Sequence, residues 1–141
     1  MSDDRTTVTV VAAAANLNQA QNTVLLTLDL LRPARIHRFG VVADSANGLL
    51  AAGDLKLRKT PVLTGTIADI AGAVLNGQVK TRGLGLVKTL TTREVFALAG
   101  DKVTLTVEVD AGGASTGHVF IEYEPQPFVV ANIANVAEET T

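Results

Sequence analysis

Cysteine and tryptophan are both absent from the 141 residues, and tyrosine occurs once, at Tyr123. Without thiols there are no disulfides, no iron–sulfur ligation and no thiol nucleophile. So few large aromatics leave little material for a sugar-binding platform. Charged side chains make up only 18% of the chain, below the ordinary quarter. A surface so sparsely charged suits partial cover by partners. Long apolar runs are missing too: VVAAAANL at residues 10–17 falls far short of the ~20 residues of a membrane span. No membrane partner is expected. The start, MSDDRTTVTVV, carries acids where a secretory signal needs positive charge, which predicts synthesis in a cytoplasm without a signal peptide.

What is present is valine, leucine, alanine and threonine, in a chain long enough for one domain with a real core. Branched side chains fit a pleated surface better than a long surface helix. The net charge of −2 conceals a gradient. Residues 1–100 carry eleven Lys or Arg against seven Asp or Glu, whereas residues 101–141 carry Lys102 against seven acids. The two parts could complement each other between neighbouring copies, or both could simply be solvated.

Alternation of polarity locates the strands. TTVTVV at residues 6–11 reads as a strand near a sheet edge, and residues 12–22 break the pattern, as a loop or one or two helical turns. In residues 22–31, Val24, Leu26, Leu28 and Leu30 share a core face. Pro33 interrupts the run. ARIHRFGVVAD resumes it, with a phase conflict around Gly40 that a bulge there would resolve. Residues 44–48 form a turn around Asn47-Gly48, and a second turn falls at Gly53-Asp54. In LKLRK, Leu55 and Leu57 face inward, while Lys56 and Arg58 meet solvent or a partner. Residues 62–77 permit strand or helix, and Gly65, Gly72 and Gly77 argue for short pieces. Gly83 and Gly85 mark a bend or a close approach by another chain.

The last third is clearest. Val103, Leu105, Val107 and Val109 line one face of a strand, opposite Lys102, Thr104, Thr106 and Glu108. Val119, Ile121 and Tyr123 oppose His118, Phe120, Glu122 and Glu124. One core face per strand is the habit of antiparallel sheets whose other face is wet. Seven or eight such strands predict an all-β, antiparallel β-sandwich of jelly-roll connectivity with extended termini. The expected division is an N-terminal arm or edge strand over 1–21, the sandwich over 22–127 and a C-terminal arm or added strand over 128–141. Phe128, Val129, Val130, Ile133 and Val136 lie in that last segment. They add a strand to their own sheet or cross onto a neighbour, and their spacing also permits a short helix.

Chemistry is hard to find. His37 and His118 are the only histidines. His118 and Glu122 share a strand face but lie about 13 Å apart, beyond one ion's shell. There is no His-x-His for a cupin-like metal centre, no Gly-x-Ser-x-Gly around Ser2, Ser45 or Ser115, and no phosphate loop at GLGL. No cofactor, metal or catalytic residue is expected, and the chain reads as a non-enzyme. Arg32, Arg35 and Arg38 with Lys56, Arg58 and Lys59 offer a short basic field without interleaved aromatics, so nucleic acid is not expected as a partner.

The acidic start, the RIHRFGVV strand, the closing GDKVTLTVEVDAGGASTGHVFIEYEP hairpin and the apolar tail together resemble the small all-β structural proteins of tailed bacteriophage virions, especially capsid decoration (cement) proteins. The likeness is one of style over residues 22–127 and transfers no site residue. It implies a homotrimer on the capsid surface of a virion, bound to the major capsid protein or another virion protein, with terminal arms reaching across neighbours. On this reading Phe128, Val129, Val130, Ile133 and Val136 are the main partner contacts, with Arg35, Arg38, Lys56 and Arg58 secondary. The alternative is a receptor-binding or adhesive β-sandwich module that recognises its ligand through loops 45–48 and 111–117.

Overall fold

A computed structural model describes residues 8–43, 54–76, 85–90, 96–113 and 115–126. Nine strands lie among them: β1 (Thr9–Asn16), β2 (Val24–Asp29), β3 (Ala34–Ala43), β4 (Asp54–Thr60), β5 (Ala68–Asn76), β6 (Gly85–Thr89), β7 (Phe96–Ala97), β8 (Lys102–Val109) and β9 (Thr116–Pro125). They form two antiparallel sheets. The first has the order β1-β9-β3-β6, with β7 also pairing β3, and the second runs β2-β8-β4-β5. The result is the all-β two-sheet sandwich that the alternation predicts.

The core lies where the two sheets face each other. Phe39, Val41 and Ile121 of the first sheet and Leu57, Leu105 and Val103 of the second are wholly buried. Each such side chain contributes about 1.5–3 kcal/mol relative to exposure. That is sufficient for a domain without metal or disulfide.

Several strands depart from the pattern expected of them. The segment after Val11 does not break. β1 continues through four alanines to Asn16, paired with β9 at all eight positions. Pairing along a whole neighbour overrides the weak strand preference of alanine. In β2 a register shift between Val24 and Leu26 turns Val24 out of the core, leaving it 51% exposed. In β3 the irregularity falls between Ile36 and Arg38, three residues before the expected place.

Gly40 is therefore not a bulge residue. A Cβ there would land on the Leu86 carbonyl oxygen and come within 2.9 Å of Phe120 Cζ. The glycine lets β6 and the Phe120 ring lie against β3. Gly85 answers the expectation of close approach, but by its own β3: a Cβ would meet Val42 Cγ2 at 3.3 Å.

Residues 68–76, where helix was also permitted, form β5. Its pairing jumps from Lys56↔Val74 to Arg58↔Asp69, so residues 70–73 stand opposite Leu57 alone. Gly72, at φ 76°, permits this excursion. In β8 the inward Val103, Leu105 and Val107 are buried as expected, but Val109 is exposed and the outward Thr104 and Thr106 are buried. That strand has no wet face along its middle. The turn at 44–48, Gly53, Gly77, Gly83 and the segment 127–141 lie outside the described residues.

Candidate functional site

The outer surface of the first sheet is built by β3 and β9. Their register sets Arg38 opposite Glu122, and past the irregularity Arg35 opposite Glu124. The Arg38 guanidinium donates from Nε and Nη2 to the two carboxylate oxygens of Glu122. That hydrogen bond, with the attraction of the carboxylate, raises the Arg38 pKa above its ordinary value. His37 Nε2 lies 3.0 Å from Glu124 Oε1. Beside these pairs runs an uncharged row, in which Ala12, Phe120, Gly40 and Val87 are successive neighbours across the four strands.

The outer surface of the second sheet is closed by a charge cluster. Lys56, expected to meet solvent or a partner, is instead buried. Its Nζ lies 2.6 Å from Glu108 Oε1 and 3.3 Å from Asp69 Oδ2. Arg58 Nε donates to Asp69 Oδ1 at 2.8 Å, and Gln21 Nε2 to Glu108 Oε1 at 3.2 Å. The Glu108 hydrogen bond raises the Lys56 pKa against the opposing effect of burial. Glu108 is lowered in turn, by the bonds from Lys56 and Gln21. For Asp69 burial pushes upward, but the bonds from Lys56 and Arg58 outweigh it and the pKa falls. The cluster is a cover for Thr104 and Thr106. The Thr106 hydroxyl donates to the Lys56 carbonyl at 3.4 Å, and Thr104 Oγ1 is buried with no hydrogen-bond partner.

A third feature sits at one end of the sandwich. Asp101 is buried, and its carboxylate accepts from Val62 N through Oδ1 and from Leu98 N through Oδ2, each at 2.8 Å. Its carbonyl accepts from Leu30 N at 3.2 Å, and Gly100 N donates to the Leu30 carbonyl at 2.8 Å. One residue thus ties three loops together. Nearby, Asp29, Leu30, Leu31, Arg32, Tyr123 and Pro125 line a cavity of about 240 Å³, below the roughly 300–1,000 Å³ of ordinary small-molecule pockets.

The residues singled out in the sequence do not gather at one place. Arg35 and Arg38 lie on the first sheet, Lys56 and Arg58 on the second, and Phe128, Val129, Val130, Ile133 and Val136 lie outside the described residues. Loop 45–48 also lies outside. In loop 111–117, Ser115 is buried and its carbonyl accepts from Leu17 N at 2.8 Å. Sequence reasoning missed Asp101, which reads as an ordinary turn acid after Gly100. It also missed the loop PVLTGTI at residues 61–67, because Val62 and Ile67 share a spacing with Ile70 and Val74 that permits strand or helix through the whole segment. Pro61 and Gly65 within it were the available signal of a loop.

Among the described residues no group of three or more His, Asp or Glu could hold a metal ion. The sequence carries no His-x-His, Gly-x-Ser-x-Gly or phosphate-loop motif. Fold and surfaces together define an all-β, antiparallel two-sheet sandwich. No family model and no curated protein matches the chain. Among solved structures it is similar to a chain of the acid-stable capsid of Helicobacter pylori bacteriophage KHP30, with 10% identity, 85% of this chain and 89% of that chain covered, and a TM-score of 0.50. It is similar also to a chain of deformed wing virus, a honeybee pathogen (8% identity, 86% and 49% covered, TM-score 0.47). A third is a chain of the disulfide-linked pili that form Bacillus endospore appendages (14% identity, 86% and 88% covered, TM-score 0.46). At such identities the likeness is one of fold.

Proposed function

We propose that this chain is a structural protein of a virion, which binds to a capsid and stabilises it as a decoration (cement) protein, assembled as a homotrimer. The observation that carries the reading is the end of the sandwich at Asp101, where Leu31, Val62, Leu63 and Leu98 stand exposed on loops held by hydrogen bonds. Such a protein acts by contact, and repetition by symmetry makes weak contacts count. The strand order supports a jelly roll: β1-β9-β3-β6 opposes β2-β8-β4-β5, so early and late strands interleave in both sheets, as two Greek keys require. The fold likeness to a phage capsid chain supports the same direction. Within this reading Phe128, Val129, Val130, Ile133 and Val136 form the contacting arm, and Arg35 and Arg38 a secondary contact. Lys56 and Arg58 act within their own sheet.

A broader reading asks less of the chain and draws on the fold more directly: a β-sandwich binding module, receptor-binding or adhesive, that recognises its ligand through its loops. The tethering of loop 111–117 by Leu17 favours it, since a recognition loop gains from being held. Co-sedimentation of the purified chain with intact shells separates the two. The decoration reading expects saturable binding and shells that withstand more heat. A chain that ignores every shell offered and binds a glycan or receptor instead would overturn it in favour of the module.

A further inference from the structure

Single exposed apolar side chains are ordinary, but four of them lie on the three loops that Asp101 ties together. Leu31 is 87% exposed, Leu63 81%, Val62 53% and Leu98 43%. Val62 and Leu98 are fixed by their own N–H bonds to the Asp101 carboxylate, Leu63 is next in the chain after Val62, and Leu31 is next after Leu30, which is bonded to Gly100 and Asp101. Residues 61–67 between β4 and β5 hold no charge at all. A buried carboxylate that keeps three loops in place while they show leucine and valine to water is the mark of a built surface.

We propose that this end is the seat of the C-terminal segment 128–136 of a second copy of the chain. The inference rests on the reading of the chain as an assembling protein, and it names both halves of the contact. The root of the segment is at the same end. Gln126 N donates to the Pro33 carbonyl at 2.7 Å, and Arg32 Nη2, on the residue after Leu31, donates to the Gln126 carbonyl at 3.2 Å. Beyond Gln126 the chain carries Phe128, Val129, Val130, Ile133 and Val136, the chemistry that Leu31, Val62, Leu63 and Leu98 would take. Nine extended residues reach about 30 Å, enough to cross such an end.

Charge agrees with this. The only charged side chains in residues 127–141 are Glu138 and Glu139. Beside the seat stand Lys102, whose side chain is 54% exposed and whose Nζ lies 3.8 Å from Asp29 Oδ1, and Lys59, whose Nζ donates to the Phe96 carbonyl at 3.3 Å. The prolines decide between a chain's own seat and a neighbour's. Pro125 and Pro127 bias Glu124 and Gln126 before them to extended backbone, which disfavours a tight reversal at the root and so favours a neighbour's seat. Because root and seat lie side by side, copies that meet at this corner put each root next to the neighbour's seat. The contact joins two different parts of the chain, and a closed assembly of copies fills every seat.

The absence of native cysteine makes the test clean. Full-length Leu63→Cys and full-length Ile133→Cys are prepared separately, mixed and oxidised mildly, and Leu63→Cys/Ile133→Cys is oxidised alongside. Leu63 is exposed enough to be replaced without harm to the fold. The proposal expects the mixture to give a disulfide-linked pair well beyond what either variant gives alone, and Leu98→Glu to reduce it about tenfold or more. An internally linked monomer from the double variant, with no linked pair from the mixture, would mean that the segment covers its own end and would overturn the proposal. Absence of both links would overturn it too. Shell binding by the same samples keeps the two readings apart. Linked pairs that ignore shells remove decoration and leave the seat, whereas unlinked chains that bind shells remove the seat alone.

Discussion

The two sheets treat their outer faces differently. On the first, polar pairs and an uncharged row lie side by side: Arg38–Glu122 and His37–Glu124 next to Ala12, Phe120, Gly40 and Val87. On the second, Lys56, Arg58, Asp69 and Glu108 close over the strand beneath, so that Thr104 and Thr106 are buried although their side chains point away from the core. Long charged side chains cover surface with their stems while their heads stay paired. A polar residue on the outer face of a strand is therefore not a wet residue; its neighbours on the next strand decide.

Gly40→Val strikes the first face hardest. The new side chain would displace the Leu86 carbonyl or the Phe120 ring, and backbone yields less readily than a side chain. The expected loss is about 3 kcal/mol or more, read as a lowered urea midpoint with strand β6 losing amide protection first. A variant as stable as the parent would mean that β3 does not pack against β6 so closely.

Lys56→Ala is the matching blow to the second face. It uncovers Thr106 and leaves Glu108 and Asp69 short of a partner. Both acids keep access to water, so the expected loss is about 1–2 kcal/mol, short of the roughly 3–5 kcal/mol for a fully buried pair. Chemical denaturation checks it, and a neutral result would reduce the cluster to decoration of the surface.

The pH dependence sharpens the contrast. Glu108 and Asp69 are lowered in the fold, so their contribution is present above the unfolded values of about 4.3 and 3.9 and is lost as pH falls through the folded ones. Lys56 is raised, so its contribution is present below about 10.4 and is lost as pH rises through the folded value. The cluster should hold from about pH 5 to about pH 10. Unfolding midpoints of the parent and of Lys56→Ala should converge as the solution is acidified; parallel curves would contradict the assignment. Arg38→Ala should do least. The pair is solvent-exposed on the arginine side, and such pairs contribute little. No resolvable change in midpoint is expected by calorimetry, and a large drop would show that the first face depends on its charges after all.

Much of the sandwich is legible in the sequence. Period-two alternation in residues 103–107 and 119–123 predicts their buried faces, and Leu26, Leu28 and Leu30 fall where expected. What escapes a linear reading are effects that arise only on pairing. The phase conflict in β3 is visible, but its resolution at Ile36/Arg38 depends on the register with β9. The burial of Thr104 and Thr106 depends on the reach of Lys56 and Arg58 from the next strand. The charge gradient suggests complementarity between copies or plain solvation. Several of its cations and acids in fact meet inside one chain, Arg38 with Glu122 and Lys56 with Glu108, because β9 and β8 return beside β3 and β4. The Asp101 end escapes for a different reason: loops have no period to betray their apolar side chains.

Equilibrium sedimentation of the full-length chain over the micromolar range tests most directly whether this protein works by association. The account predicts a single closed oligomer of identical chains, dissociated by charge placed at Leu63 or Leu98. A monomer at every concentration, unchanged by those substitutions, would contradict it.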